Sequence, residues 1–178
     1  TDNANNGAAD AYKDKNLPIY ASNLCTEIML PSDHNWSFVC VLSSINVLHY
    51  DKWKDTDAVE TMIYFLDAVI TEFLEKLEVY KNSDDLDDQQ TFLFMERAYN
   101  FSKENRALGM GVLGWHSLLQ SKMLPFDSQG AFDLNSEVFK NIKEHSNKAS
   151  KDLAEKFGEP ELLKGYGRRN TTLNAVAP

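Results

Sequence analysis

Hydrophobic residues recur at helical spacing along three long stretches of the chain. Between Asp55 and about Lys81 they form a wide apolar face, which predicts a helix packed against a core. Thr56 or Asp57 is a suitable N-cap for this helix. The same spacing predicts a second helix from about Leu86 to Lys103. A third helix, capped by Asn135, should run to Phe157.

Shorter apolar runs separate these helices. The run from Trp36 to Leu42 is rich in aromatic and β-branched residues and predicts a buried strand. The glycine-punctuated run over residues 107–114 predicts a tight strand or turn. Three further short elements complete the pattern: a helix from Ile45 capped by Ser43 or Ser44, a helix from Trp115 to Ser121, and a strand from Thr171 to Val176. Strands that alternate with helices indicate an α/β layout, in which helix outweighs strand.

With 178 residues, 43% hydrophobic and 25% charged, the chain has the composition of a soluble domain with a sizeable core. Its net charge of −9 argues against nucleic-acid binding, which needs a basic surface. No apolar stretch reaches the roughly 18 residues of a membrane span. Residues 1–17 are polar and lack the apolar centre of a signal peptide, so they are predicted to be a mobile or loop segment before one domain over residues 18–178. We therefore expect a cytoplasmic protein with no DNA or membrane partner.

Candidate chemistry lies at Asn23, Cys25 and Glu27, in a proline-bounded segment that is predicted to be extended with an irregular middle. Alternate residues of an extended chain point to the same side, so an amide, a thiol and a carboxylate would project together. They are suited to orient a hydroxyl, carry a hydrogen atom and act as a general base. A loop with a buried thiol and a solvated carboxylate fits the same residues.

Four blocks of sequence resemble one family when they are taken in order. They are Ser22–Pro31 (SNLCTEIMLP), Cys40–Asn46 (CVLSSIN), Arg106–Val112 (RALGMGV) and Arg169–Leu173 (RNTTL). The chain resembles the middle of the large, catalytic subunit of ribonucleotide reductases. The resemblance covers nearly the whole chain and is weakest in residues 1–17.

The resemblance implies a role for each candidate residue. Cys25 would be the thiyl radical carrier that removes the 3′ hydrogen of the substrate ribose. Glu27 would take the proton of the 3′-hydroxyl, and Asn23 would bind the ribose hydroxyls. Cys40 would be one of the two cysteines that supply reducing equivalents as the 2′-hydroxyl leaves. The implied function is the reduction of ribonucleoside diphosphates to deoxyribonucleotides for DNA synthesis.

The resemblance also implies a fold, a ten-stranded α/β barrel with the radical cysteine on a central loop. Residues 18–178 would be a partial catalytic-barrel domain, dominated by helix and carrying three or four short strands. In the family, the partner of Cys40 lies upstream, and the phosphate-binding turn follows the position of Pro178. We therefore expect the chain to be inactive alone and to need the remaining segments of the large subunit. Open strand edges would favour that association.

No cofactor or metal is expected on the chain itself, because its four histidines lack metal-ligand spacing. By resemblance, the full enzyme would need a radical-generating, metal-bearing small subunit, which the flanking sequence favours over adenosylcobalamin. It would also need ATP or dNTP effectors and a thioredoxin- or glutaredoxin-type reductant. The termini fit either a segment between two interruptions of a split gene or a trimmed piece.

Two alternatives stay open. The chain could be a non-catalytic helical assembly or interaction fragment in which Cys25 and Cys40 only pack, since free cysteine is often buried. It could also be a small thiol-disulfide protein, although the two cysteines lack the Cys-x-x-Cys spacing.

Overall fold

A pair of parallel strands forms the centre of the fold in this computed structural model, which describes residues 2–175. Strand β1 (Val41–Asn46) pairs with strand β2 (Leu108–Leu113), with Val41 opposite Leu108. Parallel strands need a long crossover connection, and here two long helices make up most of it. They are α4 (Ala58–Lys81) and α5 (Leu86–Asn105). A single parallel bridge joins Met110 of β2 to Asn174.

Within residues 2–175, five further helices lie around this unit. They are α1 (Asp2–Gly7), α2 (Asp10–Asp14), α3 (Tyr50–Trp53), α6 (Trp115–Ser121) and α7 (Gln129–Phe157), with short 3₁₀ turns at Val47–His49 and Glu161–Leu163. No helix within residues 2–175 is long and apolar enough to cross a membrane.

The main core lies between the strands, α4 and α7. Val59, Ile63, Leu66 and Ile70 follow one stripe of α4, and all four are buried in this core. A second cluster fixes the segment that leads to β1, since Trp36 packs edge-on against Phe101 of α5 with ring centroids 6.0 Å apart. The positions of β1 and of residues 22–40 therefore depend on α4 and α5 respectively.

A buried polar network joins the end of the chain to these helices. Asp67 of α4 accepts hydrogen bonds from Arg106 Nε at 2.9 Å, Arg169 Nε at 3.0 Å and Asn170 Nδ2 at 2.9 Å. Ser150 of α7 donates to Asn170 Oδ1 at 2.8 Å. The network holds residues 169–170 in place, and it thereby sets the path of residues 171–175 beside β2.

Several predicted elements are confirmed. The helix ending at Lys81 begins at Ala58, after Asp57 at the N-cap position. The helix predicted from Leu86 to Lys103 continues for two more residues to Asn105. The short helix over Trp115–Ser121 has the predicted bounds. The glycine-rich run contains a strand, β2.

The strand predicted over Trp36–Leu42 is wrong in its position. Aromatic side chains of that run pack against Phe101, and only from Val41 onward does the backbone pair with β2. Ser43 and Ser44 consequently lie within β1, so they do not cap a helix from Ile45. Asn46 takes the capping role instead, because its side-chain oxygen accepts from Leu48 N at 3.0 Å.

Three other expectations need correction. Helix α7 begins at Gln129 rather than after Asn135, because Ser128 Oγ accepts from Ala131 N at 3.2 Å and caps the helix earlier. The strand predicted over residues 171–176 is reduced to one bridge at Asn174, with Val176 outside the described residues. Residues 2–175 therefore contain two strands rather than three or four.

The prediction of a loop over residues 1–17 is also wrong for the two stretches that form α1 and α2. Tyr12 is buried, and its hydroxyl donates to Thr171 Oγ1 at 2.9 Å. This contact attaches the N-terminal helices to the segment beside β2.

Candidate active site

The segment that carries the candidate residues is a tight turn. Thr26 N donates to Asn23 O at 3.1 Å, and Asn23 N donates to Ile28 O at 3.2 Å. Thr26 has a φ of +66°, which lies in the left-handed region. The expectation that three alternate side chains point to one side of an extended chain is therefore wrong, because the backbone folds back on itself between Asn23 and Ile28.

The turn brings Asn23 and Glu27 into direct contact. Asn23 Nδ2 donates to Glu27 Oε1 at 2.6 Å, and Asn23 Oδ1 accepts from Ile28 N at 3.0 Å. The second carboxylate oxygen, Glu27 Oε2, is buried and has no hydrogen-bond partner within residues 2–175. A buried acceptor without a partner is costly unless a ligand satisfies it. Glu27 is thus held in one orientation, with one oxygen available to a donor such as a hydroxyl.

Cys25 lies at the tip of the turn. Its side chain is exposed, and the preceding residue, Leu24, is 98% exposed. A cysteine that served only to fill a core would be buried. The structure therefore places this thiol where another molecule can reach it.

Cys40 shares a cavity with Glu27. The cavity has a volume of about 200 Å³, and the aliphatic side chains of Ile28, Leu30 and Leu108 also line it. Burial raises the pKa of the Cys40 thiol, and the negative charge of Glu27 raises that pKa further. Cys40 is accordingly held as a protonated thiol near neutral pH.

The four predicted residues are thus brought together in part. Glu27 and Cys40 line one cavity, and Asn23 is hydrogen-bonded to Glu27. Cys25 is two residues from Glu27 in sequence but does not line this cavity.

Two further cavity residues escaped the sequence analysis. Thr172 and Asn174 line the same cavity as Glu27 and Cys40, and Thr172 Oγ1 donates to Leu108 O at 3.0 Å. Thr172 and Asn174 are two positions apart in the strand predicted over residues 171–176. Because alternate residues of a strand share a face, this spacing could have indicated that both side chains point to the same side. Within residues 2–175, no group of three or more histidine, cysteine or acidic side chains is arranged to hold a metal ion.

Fold and site together define an α/β protein that places a thiol and a carboxylate in one cavity. The family model of the ribonucleotide reductase barrel domain matches residues 1–175 of this chain. A Frog virus 3 (isolate Goorha) protein, named as a ribonucleoside-diphosphate reductase large subunit, is 40% identical over 177 residues and 99% of this chain. The ribonucleoside-diphosphate reductase large subunit of Invertebrate iridescent virus 3 is 34% identical over 178 residues, again 99% of this chain. The chain belongs to the ribonucleotide reductase large-subunit family.

A solved structure supports the same assignment. The class Id ribonucleotide reductase alpha subunit of Actinobacillus ureae superposes on 99% of this chain with a TM-score of 0.88 and 55% sequence identity. The chain spans 29% of the Frog virus 3 protein, 26% of the iridescent virus protein and 32% of the Actinobacillus subunit. The resemblance on which the fold was predicted is confirmed, and the chain corresponds to a part of the barrel domain.

Proposed function

We propose that this chain forms the radical-site part of the catalytic barrel of a ribonucleoside-diphosphate reductase. One observation carries the proposal. Glu27, whose buried Oε2 has no hydrogen-bond partner among the described residues, shares a cavity with the Cys40 thiol and is held by Asn23. A carboxylate can accept the proton of a hydroxyl, a thiol can supply reducing equivalents, and an amide can hold the carboxylate in position, and these roles fit the reduction of a ribose hydroxyl.

In this proposal Cys25 and Glu27 act on the 3′ position of the ribose. A sulfur radical at Cys25 abstracts the 3′ hydrogen atom, and Glu27 Oε2 accepts the proton of the 3′-hydroxyl. The Asn23 amide donates to Oε1 of the same carboxylate. Glu27 Oε2 therefore keeps one orientation during the proton transfer. The exposure of Cys25 allows the substrate to reach the sulfur.

Cys40 supplies reducing equivalents at the 2′ position. The 2′-hydroxyl takes the proton of one thiol, its bond to C2′ breaks, and it leaves as water. The two thiols become a disulfide, which provides two electrons, and the hydrogen of the second thiol is transferred to C2′. Cys25 then returns the abstracted hydrogen atom to C3′ and Glu27 returns the proton to the 3′ oxygen, so the sulfur radical is regenerated. The raised pKa of Cys40 keeps that thiol protonated until it is needed. The chain contains two cysteines, so the second reducing thiol comes from another part of the assembly.

Activity further depends on parts outside this chain, since it spans less than a third of its relatives. We propose the remaining large-subunit segments, a radical-generating small subunit and a thioredoxin- or glutaredoxin-type reductant as partners. ATP or dNTP effectors would bind outside these residues. The substrate would be a ribonucleoside diphosphate.

Reconstitution tests the proposal. The chain is mixed with the missing large-subunit segments and a small subunit, each component is omitted in turn, and deoxyribonucleotide formation is measured. We expect turnover only in the complete mixture, and we expect Cys25→Ser to abolish it. Met123→Ser is the matched control, because Met123 is 88% exposed on the loop after α6 and should leave turnover unchanged.

The outcome separates catalysis from a purely structural role. If Cys25→Ser retains turnover in an assembly that still contains all components, the thiol is not the radical carrier. If the complete and correctly associated mixture is inactive with the wild-type chain, the assembly-fragment interpretation takes its place.

A further inference from the structure

A second cavity, of about 430 Å³, lies between α4 and α7, away from the residues of the candidate active site. Its walls are mainly apolar. Tyr64 and Ala68 of α4 face Leu153 and Phe157 of α7 across it. A volume of this size is typical of small-molecule pockets, which usually combine apolar walls with a few polar groups.

The charges in this α4–α7 cavity are unusual for the chain. Lys156 and Arg169 line it together with one carboxylate, Asp67, whereas the whole chain has a net charge of −9. Both oxygens of Asp67 are occupied by the buried network, because Oδ1 accepts from Arg106 and Oδ2 accepts from Arg169. Among the side chains that line the cavity, two cations are therefore present with one carboxylate whose oxygens already have partners.

Both cations retain unused hydrogen-bond donors. The Lys156 ammonium lies 5.3 Å from the centre of the Tyr64 ring and makes no ion pair within residues 2–175. The Arg169 guanidinium lies 5.5 Å from the centre of the Phe157 ring. Its Nε and Nη1 have acceptors, whereas Nη2 has none within the described part of the chain. Each cation thus lies over an aromatic ring of the cavity wall and retains a hydrogen-bond donor for a ligand.

We propose that the α4–α7 cavity binds a small, flat, apolar molecule that carries one negative charge, such as an aromatic carboxylate. The rings of Tyr64 and Phe157 provide apolar and stacking contacts for its body. The free donors of Lys156 and Arg169 provide charge-assisted hydrogen bonds for its anionic group. Asp67 is held by its partners and does not compete for those donors.

The test compares two probes of the same shape. Binding of 2-naphthoate and of its neutral amide, 2-naphthamide, to the 178-residue chain is measured by titration calorimetry. Near-ultraviolet circular dichroism verifies that each sample is folded. We expect saturable one-to-one binding of 2-naphthoate and at least about tenfold weaker binding of 2-naphthamide, because one charge-assisted hydrogen bond contributes about 1.4 kcal/mol or more.

Three variants locate the site. Ala68 is exposed on α4, so Ala68→Phe fills the cavity without disturbing the core and should abolish binding of both probes. Lys156→Met should reduce the preference for the anion, because only the Arg169 donor remains. Lys151→Met is the matched control, because Lys151 is exposed on the same helix outside the cavity.

Two results would overturn the proposal. One is the absence of saturable 2-naphthoate binding by folded chain. The other is binding that Ala68→Phe leaves intact, or that does not distinguish the acid from the amide, since an adventitious apolar surface would behave in that way.

Discussion

Arg106 and Asp67 form an ion pair of 2.9 Å in which neither side chain exposes more than 5% of its surface. Arg106 also donates to the Asp67 backbone oxygen and to Thr71 Oγ1, and it has a left-handed backbone at the end of α5, with φ +46°. Arg169 and Asn170 complete the partners of Asp67. One carboxylate therefore organises the contacts among α4, the end of α5 and the segment beside β2.

Removal of that charge should weaken the fold. Asp67→Asn leaves two arginines without their buried counter-ion, and we expect a loss of about 3 kcal/mol in the free energy of unfolding. Urea denaturation followed by far-ultraviolet circular dichroism measures it. The matched control is Asp127→Asn, at an exposed loop position, which should change the value by less than about 0.5 kcal/mol. If Asp67→Asn behaves like the control, the network does not stabilise the fold.

The acid sensitivity of the α4–α7 contact can be tested at Glu60. His145 Nδ1 lies 2.7 Å and Lys148 Nζ 3.4 Å from Glu60 Oε1. Burial alone would raise the pKa of Glu60, but the contacts with His145 and Lys148 outweigh it, and the pKa lies below its ordinary value. A carboxyl whose pKa is lowered by folding stabilises the folded state above its unfolded pKa, and this contribution is lost as the pH falls through the folded pKa.

Glu60→Gln should therefore be less stable than the wild type above the unfolded carboxyl pKa of about 4.3, and the difference should shrink as the pH falls through the lowered pKa of folded Glu60. Unfolding free energies measured across this range check the expectation. Glu75→Gln, at an exposed position of the same helix, should follow the wild-type curve throughout. Asp67 also has a lowered pKa, but it contributes equally to all three proteins. A constant difference between Glu60→Gln and wild type would contradict the titration argument.

Gly114 should resist substitution. It has φ +80°, and a Cβ there would lie 2.5 Å from Asn46 Oδ1, the atom that caps the 3₁₀ turn after β1. We expect Gly114→Ala to lower the free energy of unfolding by about 1–2 kcal/mol, through backbone strain and the displaced cap. Gly7→Ala is the control, since a Cβ at Gly7 meets nothing within 4 Å. Equal stabilities of the two variants would show that the Asn46 cap adapts freely.

The two cysteines should differ in reactivity. Alkylation requires the thiolate, and the raised pKa and partial burial of Cys40 disfavour it. At pH 7.5 we expect iodoacetamide to modify the exposed Cys25 at least about tenfold faster than Cys40, as followed by peptide mass spectrometry. Glu27→Gln should accelerate the modification of Cys40 because it removes the nearby negative charge.

The control for this reactivity experiment is the same reaction in denaturant, where both thiols should react at similar rates. Equal rates in the folded chain would mean that the cavity does not protect Cys40.

The sequence was informative where one helix face decided the structure. The apolar stripe of α4 and the short helix after Gly114 could be predicted because their residues face one core. The position of β1 could not, because Trp36 and Phe38 have strand-like composition but pack on Phe101 instead of pairing. Val41–Asn46 form the strand because they pair with β2, and this pairing exists only in the folded chain.

The candidate site shows the same division. The residue types at Asn23, Cys25 and Glu27 and their family resemblance are visible in the sequence. The turn that joins Asn23 to Glu27 is not, because it depends on the left-handed conformation of Thr26, a residue that rarely adopts it. The pairing of Arg169 with Asp67 of a distant helix is likewise not visible in the local sequence.

The cavity that Glu27 shares with Asn174 has a consequence for the order of folding. These two residues lie almost the whole length of the chain apart, yet they line the same small space. Contacts between such distant positions bear a large loop-closure cost and form late, after the local helices and the β1–β2 pairing are in place. We therefore expect the cavity to be among the last features to form during folding, so that a chain that stalls earlier retains most of its helix but lacks a place for a ligand.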